Sequence, residues 1–167
     1  MSERFLGIDT SNYTTSAALV EPGMVLENRK KLLPVKPGEK GLRQSDAVFH
    51  HVRQLPEVLS PVLEVLTEPP KAIGVSLYPT TEKDSYMPCF LVGKNIAQLL
   101  GKAWNIPVEG FSHQQGHIAA ALYSAGKLDL LENPFLAFHV SGGTTEALFV
   151  KPDMDGMPQV TPAARSL

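Results

Sequence analysis

One cysteine, Cys89, stands in 167 residues, so no intrachain disulfide can form and a reducing compartment is expected. No apolar stretch approaches the roughly 18 residues that a bilayer-crossing helix needs. No basic segment followed by an apolar one opens the chain, where Arg4 leads straight into a short strand. No membrane is expected, and the cytoplasm is the expected location. Net positive charge is lacking too: 15 Lys and Arg against 17 Asp and Glu leave a formal charge of −2. No overall basic field draws the chain onto nucleic acid, so any RNA contact must be local or come through a partner. The clearest basic cluster is Arg29, Lys30, Lys31 and Lys36, with Lys40 and Arg43 close behind. It reads as a solvated strand end and loop.

What is present is the balance of an ordinary globular domain, 43% apolar and 19% charged, long enough to bury one continuous core. Residues 5–9 and 14–20 read as a hairpin, and residues 24–31 as a third strand after the turn Glu21-Pro22-Gly23. Pro34, Pro37, Gly38 and Gly41 mark a loop. From Ser45 the period becomes helical, with Val48, Val52, Leu55, Leu59, Val62, Leu63 and Leu66 on one side. Ser45 or Asp46 is placed to cap this helix, and Pro56 and Pro61 are expected to bend or split it. Residues 72–77 form a short apolar run of the buried, parallel kind. A helix over about 88–104, a strand over 107–111 and an alanine-rich helix over 112–124, capped by Ser112, follow.

This βββαβαβα order predicts an α/β fold with a mixed sheet, the ribonuclease H-like lobe of the actin-like ATPase (sugar kinase/Hsp70/actin) superfamily. That lobe is expected over residues 1–130. Residues 131–167 read as a linker and the opening hairpin of a second lobe, cut off at Leu167, with strands at 135–141 and 145–151 around Gly142-Gly143.

Two turns carry candidate phosphate contacts. The first, Asp9-Thr10-Ser11-Asn12-Tyr13-Thr14-Thr15, crowds hydroxyls and amides between two strands, and Asp9 could hold a metal-bound water beside them. The second follows the strand that holds His139 and Val140 and reads Ser141-Gly142-Gly143-Thr144-Thr145; its glycines let backbone approach a ligand closely. One such turn opening each repeat suits a nucleotide clamped between lobes. His113 and His117 lie four apart on a predicted helix, so both imidazoles leave one face and could share a metal. A third ligand is not evident beyond Asp9. His50 and His51 read as packing or surface residues and Cys89 as core.

Leu6-Gly7-Ile8-Asp9-Thr10-Ser11, Val92-Gly93, His113-Gln114-Gln115-Gly116-His117 and Val140-Ser141-Gly142-Gly143-Thr144-Thr145 occur in the order and spacing of one family. By these motifs the whole chain resembles the tRNA threonylcarbamoyladenosine transferases, long labelled O-sialoglycoprotein endopeptidases, as a divergent branch. The resemblance implies that His113 and His117 hold one divalent metal ion, iron or zinc, with an aspartate of the second lobe. It implies that residues 139–143 touch an acyl adenylate or other adenine nucleotide, and that a threonylcarbamoyl group passes from its adenylate to the tRNA adenosine beside the anticodon. Asp9 is then the catalytic candidate, with Thr10, Ser11, Asn12, His139, Val140, Ser141, Gly142, Gly143 and Thr144 on the ligand. The tRNA would come to a surface shared with partner subunits.

Asp9 stands where the family usually has Glu, and Thr144 where it usually has His. The chain as given is expected to be inactive alone, and a homodimer through the hairpin edge is a further expectation. Two other functions fit the residues less fully: a non-catalytic scaffold that dimerises with a true transferase, and a metalloendopeptidase. The first has no need of His113 and His117. The second needs a glutamate beside the histidines, and His-Gln-Gln-Gly-His offers none.

Overall fold

A computed structural model describes residues 3–35, 41–82, 85–140, 145–154 and 156–165. It divides into two compact units, residues 1–79 with 84–113, and residues 80–83 with 114–167. The lobe boundary expected at residue 130 would have kept the whole of the His113–Ser124 helix with the first unit.

The first unit holds a five-stranded sheet. β1 (Phe5–Ser11), β2 (Thr14–Glu21) and β3 (Met24–Leu32) form an antiparallel meander, and β4 (Ala72–Tyr78) and β5 (Val108–Ser112) join it in parallel, in the order β3-β2-β1-β4-β5. This is the mixed sheet that the element order predicted. Helix α1 (Gln44–Glu64) lies between β3 and β4, and α2 (Phe90–Trp104) between β4 and β5. Leu55, Val58, Leu59 and Val62 follow the i, i+3, i+4, i+7 rule and bury their stripe with Leu6, Ile8, Ala17 and Leu19. Each such side chain contributes about 1.5–3 kcal/mol.

Three local expectations are corrected. Pro56 and Pro61 sit inside an unbroken 21-residue helix. Pro56 is exposed, so the carbonyl left without its N–H partner there can turn to water. The helix starts at Gln44 with Arg43 as N-cap and no side-chain cap, so neither Ser45 nor Asp46 caps it. Val52 is 57% exposed, on the solvent side of the stripe.

Two close approaches set where α2 and β5 lie. A Cβ on Gly93 would meet Thr10 Oγ1 at 3.0 Å, so glycine lets α2 settle onto β1, and a Cβ on Gly101 would collide with Val108 at 2.4 Å. Asn105 closes α2 in the left-handed region, with φ 54°. The Ile106 N–H then returns to the Gly101 carbonyl at 3.0 Å, so the chain turns sharply into β5.

The second unit is built from α3 (His113–Ser124, from Gln114 on), a short 3₁₀ turn at Leu128–Glu132, and an antiparallel sheet of β6 (Phe135–Val140), β7 (Thr145–Pro152) and β8 (Pro158–Arg165) in that order. Ile118 and Leu122 pack with Leu148, Val150 and Val160. The expected hairpin is therefore a three-stranded meander. No described helix is long and apolar enough to cross a membrane. Arg29, Lys30 and Lys31 are exposed on β3, as expected, while Lys36, Lys40 and the loop at 36–40 lie outside the described residues.

Candidate functional site

The carboxyl ends of three neighbouring parallel strands bring together Asp9 from β1, Ser76 from β4, and His113, which follows the last residue of β5. Asp9 accepts three hydrogen bonds. Its Oδ2 takes the Ser76 hydroxyl at 2.6 Å and lies 2.7 Å from His113 Nδ1, while its Oδ1 takes the Ser11 N–H at 2.7 Å. Burial by itself would raise this carboxyl, but the hydrogen bond and charge of His113, with the Ser76 and Ser11 donors, outweigh it and hold the group at about 2. Asp9 is therefore a carboxylate at neutral pH. The Phe90 ring stands 6.4 Å from the His113 ring, tilted by 60°.

The other residues of the first turn are tied into the fold. Thr10 is fully buried; its hydroxyl donates to the Cys89 carbonyl at 2.9 Å and accepts the Gly93 N–H at 3.0 Å. Ser11 is 7% exposed. Asn12 Oδ1 accepts the Gln44 side-chain amide at 3.4 Å, linking the turn to the start of α1. Cys89 lies in the core, where burial pushes its thiol up, and His51 is fully buried, as packing.

In the second unit the His117 and His139 rings stack, 6.0 Å apart and 26° from parallel. His139 Nδ1 lies 3.5 Å from Glu146 Oε2 and makes no hydrogen bond. Glu146, 8% exposed, also takes Arg165 Nη2 at 2.5 Å and the Gln114 amide at 3.4 Å. Val140 is 71% exposed. Ser141, Gly142, Gly143 and Thr144, the second expected phosphate turn, lie outside the described residues.

His113 and His117 open α3 one turn apart. Among the described residues no three His, Cys, Asp or Glu side chains are grouped to hold a metal ion. Sequence reasoning missed Ser76, Gln114, Glu146 and Arg165. Ser76 left one signal, a hydroxyl inside an otherwise apolar strand.

Residues 45–156 match the family model of TsaD, tRNA N6-adenosine threonylcarbamoyltransferase. A protein of that description from Bacillus subtilis (strain 168) is 31% identical over 151 residues, covering 87% of this chain and 41% of its own length. A Drosophila melanogaster protein, described as a probable tRNA N6-adenosine threonylcarbamoyltransferase, is 30% identical over 143 residues, covering 86% and 39%. The chain thus spans about two fifths of the length of these relatives. Among solved structures, YeaZ from Pseudomonas aeruginosa superposes with a TM-score of 0.60 at 17% identity, over 99% of this chain and 67% of that one. That likeness supports the actin-like fold expected from the element order.

Proposed function

Because the chain belongs to the tRNA N6-adenosine threonylcarbamoyltransferase family, we propose that it supplies the first lobe of an enzyme that moves a threonylcarbamoyl group from its adenylate to the amino nitrogen of the tRNA adenosine beside the anticodon. The observation that carries this reading is the position of His113, at the carboxyl end of β5 beside Asp9 and one helical turn before His117. Ligands of open α/β sheets sit at such strand ends.

His113 and His117 would hold a divalent ion. Two imidazoles suit zinc or iron and do not suit magnesium or calcium, which take oxygen ligands. The further ligand would come from outside the described residues. A bound ion of this kind supplies a Lewis acid for the acyl carbonyl. The chain's own residues do the rest. The turn at Ser11 and Asn12 would receive phosphate oxygens, and Ser141, Gly142, Gly143 and Thr144 are the other candidates that the sequence offers for this. Thr10, whose hydroxyl is spent on Cys89 and Gly93, would serve by fixing the turn. With a formal charge of −2, the chain would meet tRNA on a surface completed by partner subunits, in the cytoplasm.

The test is metal content by plasma mass spectrometry after anaerobic purification, beside a His113→Ala, His117→Ala double variant. Near-stoichiometric iron or zinc, lost in the variant, is expected. Metal-free protein that also fails to take up added zinc would overturn the metal reading. Threonylcarbamoyl transfer to tRNA is expected to be undetectable with this chain alone, and turnover by it would refute the need for a second lobe.

A further inference from the structure

We propose that Asp9 and Ser76 act on the site through His113, as positioning residues that fix which imidazole nitrogen carries the proton and where the ring faces. The geometry is confined to the first unit. A carboxylate only accepts hydrogen bonds, so a ring nitrogen 2.7 Å from Asp9 Oδ2 must carry its hydrogen. With a lone pair there instead, two acceptors would face each other at that separation. His113 is therefore protonated on Nδ1, and in the neutral ring the lone pair belongs to Nε2. The contact is shorter than the 2.9–3.0 Å usual for N–H···O bonds, as expected of a charged acceptor.

The carboxylate is itself held. The Ser11 N–H fixes Oδ1 from the aspartate's own turn, and the Ser76 hydroxyl fixes Oδ2 from the next strand. The bond from Ser76 follows from the pairing of the strands. β1 and β4 run parallel with Ile8 opposite Val75, so Asp9 and Ser76 are the next residues on, and Val75 and Ser76 are buried in succession, one toward each face of the sheet. The polar one of the two meets Asp9. Three strands thereby fix one imidazole, with Phe90 beside it. Histidines that hold metals are oriented in this way by a carboxylate on the second nitrogen. As far as it concerns a metal on His113, the inference rests on the function proposed above, but the tautomer itself does not.

The test is histidine-selective ¹⁵N labelling of the 167-residue chain, stripped of metal, with ring tautomers read from two-bond proton–nitrogen correlations at pH 7.5 and His113 assigned by its absence in His113→Gln. The Nδ1–H form is expected for His113 in wild type and in Asp9→Asn, whose amide oxygen still accepts. The Nε2–H form, which dominates in water, is expected in Asp9→Ala, and a mixture in Ser76→Ala. An Nε2–H wild type, or an Asp9→Ala spectrum unchanged at His113, would overturn the proposal. Zinc affinity by competition with a chromophoric chelator is the second readout. Asp9→Ala is expected to weaken it about 10–100-fold, with Asp9→Asn recovering most of the loss. An Asp9→Ala affinity equal to wild type would count against the positioning role. If wild type binds no zinc yet shows the Nδ1–H form, the metal reading fails and the positioning role stands. Ser76→Ala, a milder change, serves where Asp9→Ala does not fold.

Discussion

The first hairpins of the two units align in sequence and are buried on opposite faces. Residues 6–20 and 136–150 align without a gap: Leu6 with Leu136, Ser11 with Ser141, Thr14 and Thr15 with Thr144 and Thr145, Ala17 with Ala147 and Val20 with Val150. In the first unit Ile8 and Leu19 are 3% and 0% exposed beneath α1 and α2, whereas their counterparts Phe138 and Phe149 are 71% and 39% exposed. In the second unit the other face is buried: Leu148 and Val150, at 1% each, pack with Ile118 and Leu122 of α3. A period of two makes a strand, but which face becomes core depends on the helix that reaches it. The same comparison divides the polar side. Asp9 holds His113, while its counterpart His139 stacks on His117.

Paired truncations should expose this asymmetry most strongly. Ile8→Ala and Leu19→Ala should each cost about 2–5 kcal/mol in urea unfolding followed at the first unit. Phe138→Ala and Phe149→Ala, at the matching positions, should change stability by less than about 1 kcal/mol. Equal costs at both positions would break the comparison and mean that something covers the second hairpin in solution.

The next contrast lies at Thr15 and its exposed counterpart Thr145. The Thr15 hydroxyl donates to Gln54 Oε1 at 3.1 Å, and the Gln54 amide donates to the Leu32 carbonyl at 3.2 Å. Thr15 must therefore accept from His51 Nδ1 at 2.8 Å, which leaves Nε2 buried without a partner. Burial, first of all, lowers this histidine to about 4, against a small opposing pull from Asp9. A lowered folded pKa means that below about pH 6.5 the unfolded chain takes up a proton that the folded chain refuses. Stability should fall as pH drops from 6.5 to 4, by roughly 3 kcal/mol in all, and level off below. The change owed to Asp9 lies lower, between its ordinary value of 3.8 and about 2. Urea midpoints between pH 7 and 4.5 should show the slope in wild type and lose it in His51→Leu. A slope that survives the substitution would assign it to other groups.

Much of this was legible because local pattern and tertiary role agree. The stripe of α1 and the apolar run of β4 announce their burial, and the order of elements announces the mixed sheet. β8 was not legible. Pro158 and Pro162 argue against a strand, yet Pro158 is its first residue and Pro162 stands next to a register shift, on an edge strand where lost N–H groups cost little. Pro56 and Pro61 misled in the same way, because a helix with one face in water can spare a bond there. At the site, Asp9, His113 and His117 stand out as residue types, but no spacing rule connects Asp9 to His113 or either to Ser76. Those contacts join strands that pair only in the finished sheet.

The smallest expected difference is at Thr10 and its counterpart Val140. Thr10→Val keeps the shape of the side chain and deletes one donor and one acceptor in a site with no water-exposed surface. The Gly93 N–H loses this bond, while the Cys89 carbonyl keeps the Val92 N–H at 3.3 Å. A buried polar group left in this way costs about 1–3 kcal/mol. Rearrangement is hindered because a Cβ at Gly93 would already stand 3.0 Å from Thr10 Oγ1, so α2 has no slack against β1. Val140→Thr, on a side chain 71% exposed, should shift stability by no more than about 0.5 kcal/mol. If Thr10→Val is as silent as Val140→Thr, the hydroxyl is not what seats α2 on β1, and Thr10 becomes available as the ligand contact that its place in the first turn suggests. If it costs what an orphaned N–H should, the first turn is rigid by construction, and phosphate contacts there fall to Ser11 and Asn12.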